Sequence, residues 1–325
     1  MSLDGVSVRF PVGRRKFVTA VDDVSVDIIA GETLGLIGES GSGKSTLARA
    51  LTGLVPVSSG SVRWRGDDTA SFSRAQRRTF TSSVQMIFQD PHSALDPRRT
   101  IGSSVREPLD VLNIGDKRRR SDVVMTALAD VGLTESHAAR YPHQLSGGQK
   151  QRANIARALV SEPEMLICDE SVAALDVALQ AEILNLLQDL KVERHLTIVF
   201  ISHDLAVVGH VADRVNVMYV GKLVEQAPTD EIFERPRHPY SEALLSAQLD
   251  VTGTSRHRII LDGDIPSPMS PPSGCRFRTR CPHALELCAV DVPKLGEVAP
   301  AHASACLRTA ALYGDDSSLV DGVVS

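Results

Sequence analysis

The sequence predicts an α/β domain on a parallel sheet, interrupted by an all-helical insertion and followed by a small irregular lobe. Three observations lead there. Short apolar runs of strand length alternate with helical stretches, the pattern of strand–helix–strand units. A glycine-rich turn sits where one of those strands gives way to a helix. A stretch carrying Pro266, Pro268, Pro271 and Pro272 sets a cysteine-bearing tail apart from everything before it.

From Val18 to Leu36 the chain reads as strands: Val21 to Ile29 alternates apolar and polar residues, and Ala30-Gly31 turns into Thr33-Leu34-Gly35-Leu36-Ile37. A helix is expected from Lys44 to about Gly53, and the Ser/Arg-rich stretch 67–83 is expected as an exposed loop or short helix. From Pro97 to about Val160 the pattern is helical, broken at Gly115 and Pro142. Glu164 to Cys168 and Thr197 to Ile201 have the length of buried strands, with an amphipathic helix from Val177 to Glu193 between them. Three regions are expected: a nucleotide-binding domain over 1–250 with its helical part at about 91–160, a lobe over 251–313, and a polar, disordered tail over 314–325.

Composition narrows the function classes. At 325 residues, 42% hydrophobic and 23% charged, the chain has material for a packed core. A net charge of −5 gives no reason to expect nucleic acid as a partner. No apolar run of about 18 residues is present, and the first ten residues lack a basic segment followed by an apolar stretch. A cytoplasmic address follows, with any membrane role exercised through partners.

Gly38-Glu39-Ser40-Gly41-Ser42-Gly43-Lys44-Ser45 fits G-x-x-x-x-G-K-[ST] at every fixed position, after an apolar strand and opening a helix. Backbone N–H groups in such a loop wrap phosphates, and the helix N-terminus adds partial positive charge. Lys44 is expected to reach the β- and γ-phosphates of ATP, and the Ser45 hydroxyl to ligate Mg²⁺, with Thr46 beside it. Met165-Leu166-Ile167-Cys168-Asp169-Glu170 is a strand ending in two acids. Asp169 suits the Mg²⁺ shell, and Glu170 suits a general base for the attacking water.

At Leu145-Ser146-Gly147-Gly148-Gln149 the sequence resembles the ABC signature, which other P-loop enzymes lack. The resemblance extends to Gln89 as the Q-loop glutamine, Ala174-Leu175-Asp176 as the D-loop and His203 as the switch histidine, and covers residues 1 to about 310. It implies an ATPase whose P-loop, RecA-like core carries a β-subdomain and a helical signature subdomain. Ser146, Gly147, Gly148 and Gln149 would then face the γ-phosphate on an opposite subunit. Gln89 would link Mg²⁺ to the helical insertion, His203 would contact the γ-phosphate, and Asp176 would border the shared site. Phe17 is the candidate adenine platform and Phe10 the alternative. Most relatives carry proline after the catalytic glutamate where this chain has Ser171, which keeps its N–H and a free φ.

Gly35 to Gly41, Phe88 to Pro97, Leu175 to Gln180 and His238 to Leu245 resemble the peptide-importer branch. That branch implies a second ATPase chain, usually a different one, two membrane permeases and an external substrate-binding protein. The chain would work at the cytoplasmic face of the membrane. Dipeptides, longer peptides, glycopeptides and nickel all stay open as cargo. An exporter motor and a soluble ABC protein of translation or DNA repair are the rivals; the first is often fused to a membrane domain, the second often tandem or basic.

Cys168 sits alone in an apolar run, whereas Cys275, Cys281, Cys288 and Cys306 follow C-x5-C-x6-C-x17-C. Zinc sites usually pair cysteines at C-x2-4-C, and ferredoxin runs use C-x2-C, so spacing says only that soft metals suit these donors. The resemblance implies a [4Fe–4S] cluster, with Arg276, Arg278 and Arg280 offsetting its charge. Zinc, or free or disulfide-bonded thiols, remain the alternatives. Cys168 reads as core packing.

Overall fold

A computed structural model describes residues 1–13, 16–88, 94–173, 175–247 and 259–314. The chain begins with two long strands, β1 (Ser2–Val12) and β2 (Lys16–Asp27), then β3 (Thr33–Ile37) and the helix α1 (Lys44–Leu51). β4 (Ser59–Trp64), β5 (Asp67–Asp68), the helix α2 (Arg74–Ser83) and β6 (Val84–Ile87) follow. Helices Ile101–Val111, Arg120–Asp130, Glu135–Ala138 and Gly147–Leu159 form the insertion before β7 (Met165–Asp169). Helix Val177–Arg194, β8 (Thr197–Ile201), helix Leu205–Val211, β9 (Arg214–Tyr219) and β10 (Lys222–Pro228) complete the core. The lobe adds β11 (Gly296–Ala299) and β12 (His302–Ser304).

The strands make two sheets, a four-stranded one in the order β2-β1-β4-β5 and an eight-stranded one in the order β11-β12-β10-β9-β3-β8-β7-β6. The middle of the large sheet is parallel: β9 and β8 flank β3, and β7 and β6 continue from β8. β3, β7 and β8 are each five residues long and buried throughout, because both faces of a parallel sheet are covered. Leu166 and Cys168 of β7 face the core shared with the helical insertion, whereas Met165 and Ile167 face the core shared with the small sheet. This two-residue alternation splits one strand between two hydrophobic cores.

The expected strands at β3, β7 and β8 and the helices at Lys44 and Val177 are present, and the Ser/Arg-rich stretch contains α2, capped by Ser73 and Gln76. Two features differ from the sequence reading. A strand precedes Val18: β1 runs from Ser2 to Val12 and pairs with both β2 and β4. The lobe is also not wholly irregular, since β12 pairs antiparallel with β10 and carries β11 on its outer edge. Its strands extend the catalytic core's own sheet. At that junction His302 and Glu225, both fully buried, hydrogen-bond at 2.6 Å. The boundary expected near residue 250 and the tail beyond Gly314 lie outside the described residues.

Candidate functional site

β3 delivers the glycine-rich loop to the edge of the sheet and α1 leaves from it. Gly38 and Gly43 are required by close approach: a Cβ on Gly38 would stand 2.1 Å from the Met218 carbonyl oxygen, and one on Gly43 2.2 Å from that of Ala20. Both also adopt positive φ, at 146° and 106°. Gly41, by contrast, faces open space. The Lys44 ammonium donates to the carbonyls of Gly38 at 2.7 Å and Glu39 at 3.0 Å, lying across the loop it will serve. Burial lowers the Lys44 pKa, opposed by the charges of Glu170, Asp169 and Glu39.

Ser45 Oγ donates to Asp169 Oδ1 at 2.9 Å, bringing together the hydroxyl and the carboxylate expected to hold Mg²⁺. Asp169, at the end of β7, is buried, and burial raises its pKa against the hydrogen bond from Ser45. One hydroxyl and one carboxylate, completed by phosphate oxygens and water, are an ordinary protein share of a Mg²⁺ shell. Glu170 turns the other way. Its φ of 48° is uncommon for a residue with a side chain, and the turn is held by its N–H donating to Ile201 O at 3.0 Å and its carbonyl accepting from Ala173 at 3.1 Å. The turn brings Glu170 Oε1 to 3.6 Å from Nδ1 of His203, which stands exposed after β8. Gln89 and Ala174 lie outside the described residues.

A cleft of about 430 Å³ is lined by Ser40, Gly41, Gly43, Lys44, Ser45 and Thr46 of the loop and by Glu170. Phe10 and Val18, cross-strand partners in the β1–β2 pair, line its far wall. Phe17 does not. Successive side chains on a strand face opposite ways, so with Val18 turned to the cleft, Phe17 points from the other face, where it is 55% exposed. The alternative platform, Phe10, is the one beside the loop. Pro268, from the proline-rich connector, also reaches this wall.

The signature segment takes no part in that cleft. Ser146 caps helix Gly147–Leu159, with its Oγ accepting from Gln149 N at 3.3 Å and its N–H donating to Gln149 Oε1 at 3.1 Å. Ser146 and Gly147 are exposed, and Gly148 packs on Leu179. Asp176 caps helix Val177–Arg194 and is exposed beside Val177, itself 83% exposed. Among the described residues the glycine-rich loop, Ser45, Asp169 and Glu170 thus come together, and the signature segment faces outward apart from them.

Residues 21–173 match the ABC transporter family model, and 224–288 match that of the oligopeptide/dipeptide transporter C-terminal region. The chain is 45% identical to the oligopeptide transport ATP-binding protein AppF of Bacillus subtilis over 94% of its own length and 96% of that protein's. It belongs to the ABC transporter family of ATPases. Among solved structures, a dimeric post-hydrolysis state of the ATP-binding cassette MJ0796 bound to ADP and Pi aligns with TM-score 0.63 at 28% identity, over 70% of this chain and 98% of that one. CbiO1 from Clostridium perfringens, part of an ABC transporter complex, aligns with the same TM-score at 29% identity, over 72% of this chain and 91% of that one. Among the described residues of this ABC subunit, no helix is long and apolar enough to cross a membrane.

The ABC subunit's four C-terminal cysteines converge. Cys275, Cys281, Cys288 and Cys306 all line one small cavity of about 20 Å³. Burial raises the thiol pKa values of Cys275 and Cys306 and pushes Cys281 up to about 11. No disulfide joins them, and among the described residues no group of three or more His, Cys, Asp or Glu side chains is arranged to hold a metal ion. Cys168 is fully buried in the core, its thiol pushed up to about 12 by burial.

Of the three arginines, Arg278 lines the cysteine cavity, whereas Arg276 and Arg280 do not. Arg276 pairs with Asp22 and the Val220 carbonyl, Arg278 with Ser273, and Arg280 with Glu39 of the phosphate loop. Arg276 and Arg280 are thus committed to partners outside the cysteine cavity. The role of Arg280 was hidden in the sequence because its partner lies 241 residues away.

Proposed function

We propose that this ABC subunit hydrolyses Mg²⁺–ATP at the cytoplasmic face of a membrane to drive import of di- or oligopeptides through two permease subunits. What carries the reading is the division of the site. Lys44, Ser45 and Glu170 line one cleft, with Asp169 bonded to Ser45 behind it, while Ser146, Gly147 and Asp176 stand exposed away from it. ATP would then be sandwiched between this chain's loop and a partner ATPase's signature, a partner we take to be a different chain. Lys44 binds the β- and γ-phosphates, and Ser45 and Asp169 hold Mg²⁺, which neutralises charge on the phosphoryl oxygens. Glu170 takes the proton of the attacking water, His203 steadies the γ-phosphate, Gln89 relays the change to the helical part at about 91–160, and Phe10 rather than Phe17 stacks on adenine.

The match at 224–288 and the oligopeptide relative support peptide as cargo, delivered by an external binding protein. We also infer that Cys275, Cys281, Cys288 and Cys306, which all line one cavity, would hold a [4Fe–4S] cluster. When bound, the cluster cross-links the lobe as a structural staple. Isolation of the tagged chain from membranes under anaerobic conditions tests the assignment. Two permeases, a second ATPase chain and about four irons per chain are expected. Ribosomes or DNA in place of permeases would contradict the transport reading, and zinc in place of iron the cluster.

A further inference from the structure

We propose that the cysteine lobe is a working part of its own chain's ATP site, with Arg280 as the positioning residue that holds the phosphate loop in its anion-binding shape. The proposal rests on the nucleotide-site reading above. The segment Cys275 to Cys281 docks on the core through Phe277, buried against Tyr219 and Tyr240 at ring-centroid distances of 5.3 and 5.4 Å. A turn in which Arg280 N donates to Phe277 O at 2.9 Å then aims the Arg280 guanidinium at the loop.

There it forms a two-pronged pair, Nη1 to Glu39 Oε2 at 2.7 Å and Nη2 to Glu39 Oε1 at 3.1 Å. The Arg280 side chain is only 8% exposed and Glu39 25%, so solvent screens this pair less than an ordinary surface ion pair. Glu39 is the second residue of the glycine-rich loop. Its N–H donates to Tyr240 Oη at 2.8 Å and its carbonyl accepts from Lys44 Nζ at 3.0 Å. When phosphates draw Nζ away, the Lys44 contact is given up, and Tyr240 and Arg280 are left to hold that peptide.

A second contact acts behind the loop. Arg276 binds Asp22 and the Val220 carbonyl, fixing the turn whose Gly221 N–H donates to Ser42 O at 2.8 Å. Pro268 of the connector reaches the wall that carries Phe10. Three separate points of the lobe region thus meet the front, back and far wall of one nucleotide cleft.

Binding of the fluorescent analogue mant-ATP to the full-length chain tests this, with fold checked by thermal melting. Arg280→Gln and Glu39→Gln should each weaken binding by about threefold to tenfold, and the double variant no more than the weaker-binding single, because both remove one interaction. In ATPase assays Arg280→Gln should raise KM rather than lower kcat, and Arg280→Lys should recover part of the loss. Arg278→Gln, which removes a like charge bonded only within the lobe, should bind as wild type. Folded Arg280→Gln with wild-type affinity, or single losses that multiply in the double variant, would overturn the proposal. If Arg280→Gln fails to fold, Glu39→Gln decides from the loop side, and wild-type affinity there is equally fatal. A wild-type chain that bound no mant-ATP would instead refute the nucleotide-site reading.

Discussion

Glu170→Gln leaves ATP bound and slows its hydrolysis by about 10²–10⁴-fold in the assembled transporter, the range lost when a positioned general base is removed. Glutamine preserves the shape of the turn, including the left-handed backbone at φ 48° and the bond to Ile201 O. It removes the carboxylate that can accept a proton, and with it the charge facing His203 at 3.6 Å. Lys44, Ser45 and Asp169 are untouched, so affinity should hold within about threefold. With hydrolysis blocked, this chain and its partner ATPase stay closed around ATP, which size-exclusion chromatography of the pair would register as a nucleotide-dependent dimer. Turnover at the wild-type rate would mean that another group activates the water.

Gly43→Ala is the second large effect, and it is steric. The new Cβ would lie 2.2 Å from Ala20 O, where only backbone could move to relieve the clash, and φ at 106° is closed to alanine in any case. Overpacking and backbone strain together cost about 3 kcal/mol or more. The loop can escape only by leaving the shape that presents its amides to phosphate. We expect ATP affinity to fall more than about tenfold and the melting temperature to drop. Gly41→Ala is the internal control: its φ of 77° is strained for alanine, but nothing lies within 4 Å of the new atom. It should cost about 1–2 kcal/mol and retain measurable binding. Equal loss in the two variants would show that backbone conformation, not the Ala20 contact, decides.

The catalytic half of the site was legible in the sequence for a physical reason. Asp169 ends β7 and Glu170 follows it, His203 stands two residues past β8, and the loop that carries Lys44 starts directly after β3; all three strands are five residues long and buried throughout. Such strands read as uninterrupted apolar runs, and ligands in open parallel sheets bind at their carboxyl ends. β1 was illegible because its register with β2 shifts three times between Leu3 and Arg9, which breaks the alternation a reader would look for. β11 and β12, four and three residues long, are too short to show any period.

Side-chain choice between Phe10 and Phe17 needed the third dimension. Alternation says that Phe17 and Val18 face opposite sides, but only the docking of the β1–β2 pair on the loop says which side is the cleft. The arginines of the lobe were visible as a cluster, and the thiols beside them suggested charge compensation. The carboxylate partners of Arg276 and Arg280, Asp22 and Glu39, are more than 240 residues distant and leave no local signal.

The role proposed for this chain is one half of an ATP-driven peptide-import motor. Uptake of a labelled oligopeptide into vesicles carrying the two permeases, the second ATPase, the external binding protein and this chain tests it most directly. Accumulation should require ATP on the side of this chain, stop when the chain is omitted, and fall to background with Glu170→Gln. Peptide accumulation that proceeds equally without this chain, or without ATP, would contradict the account.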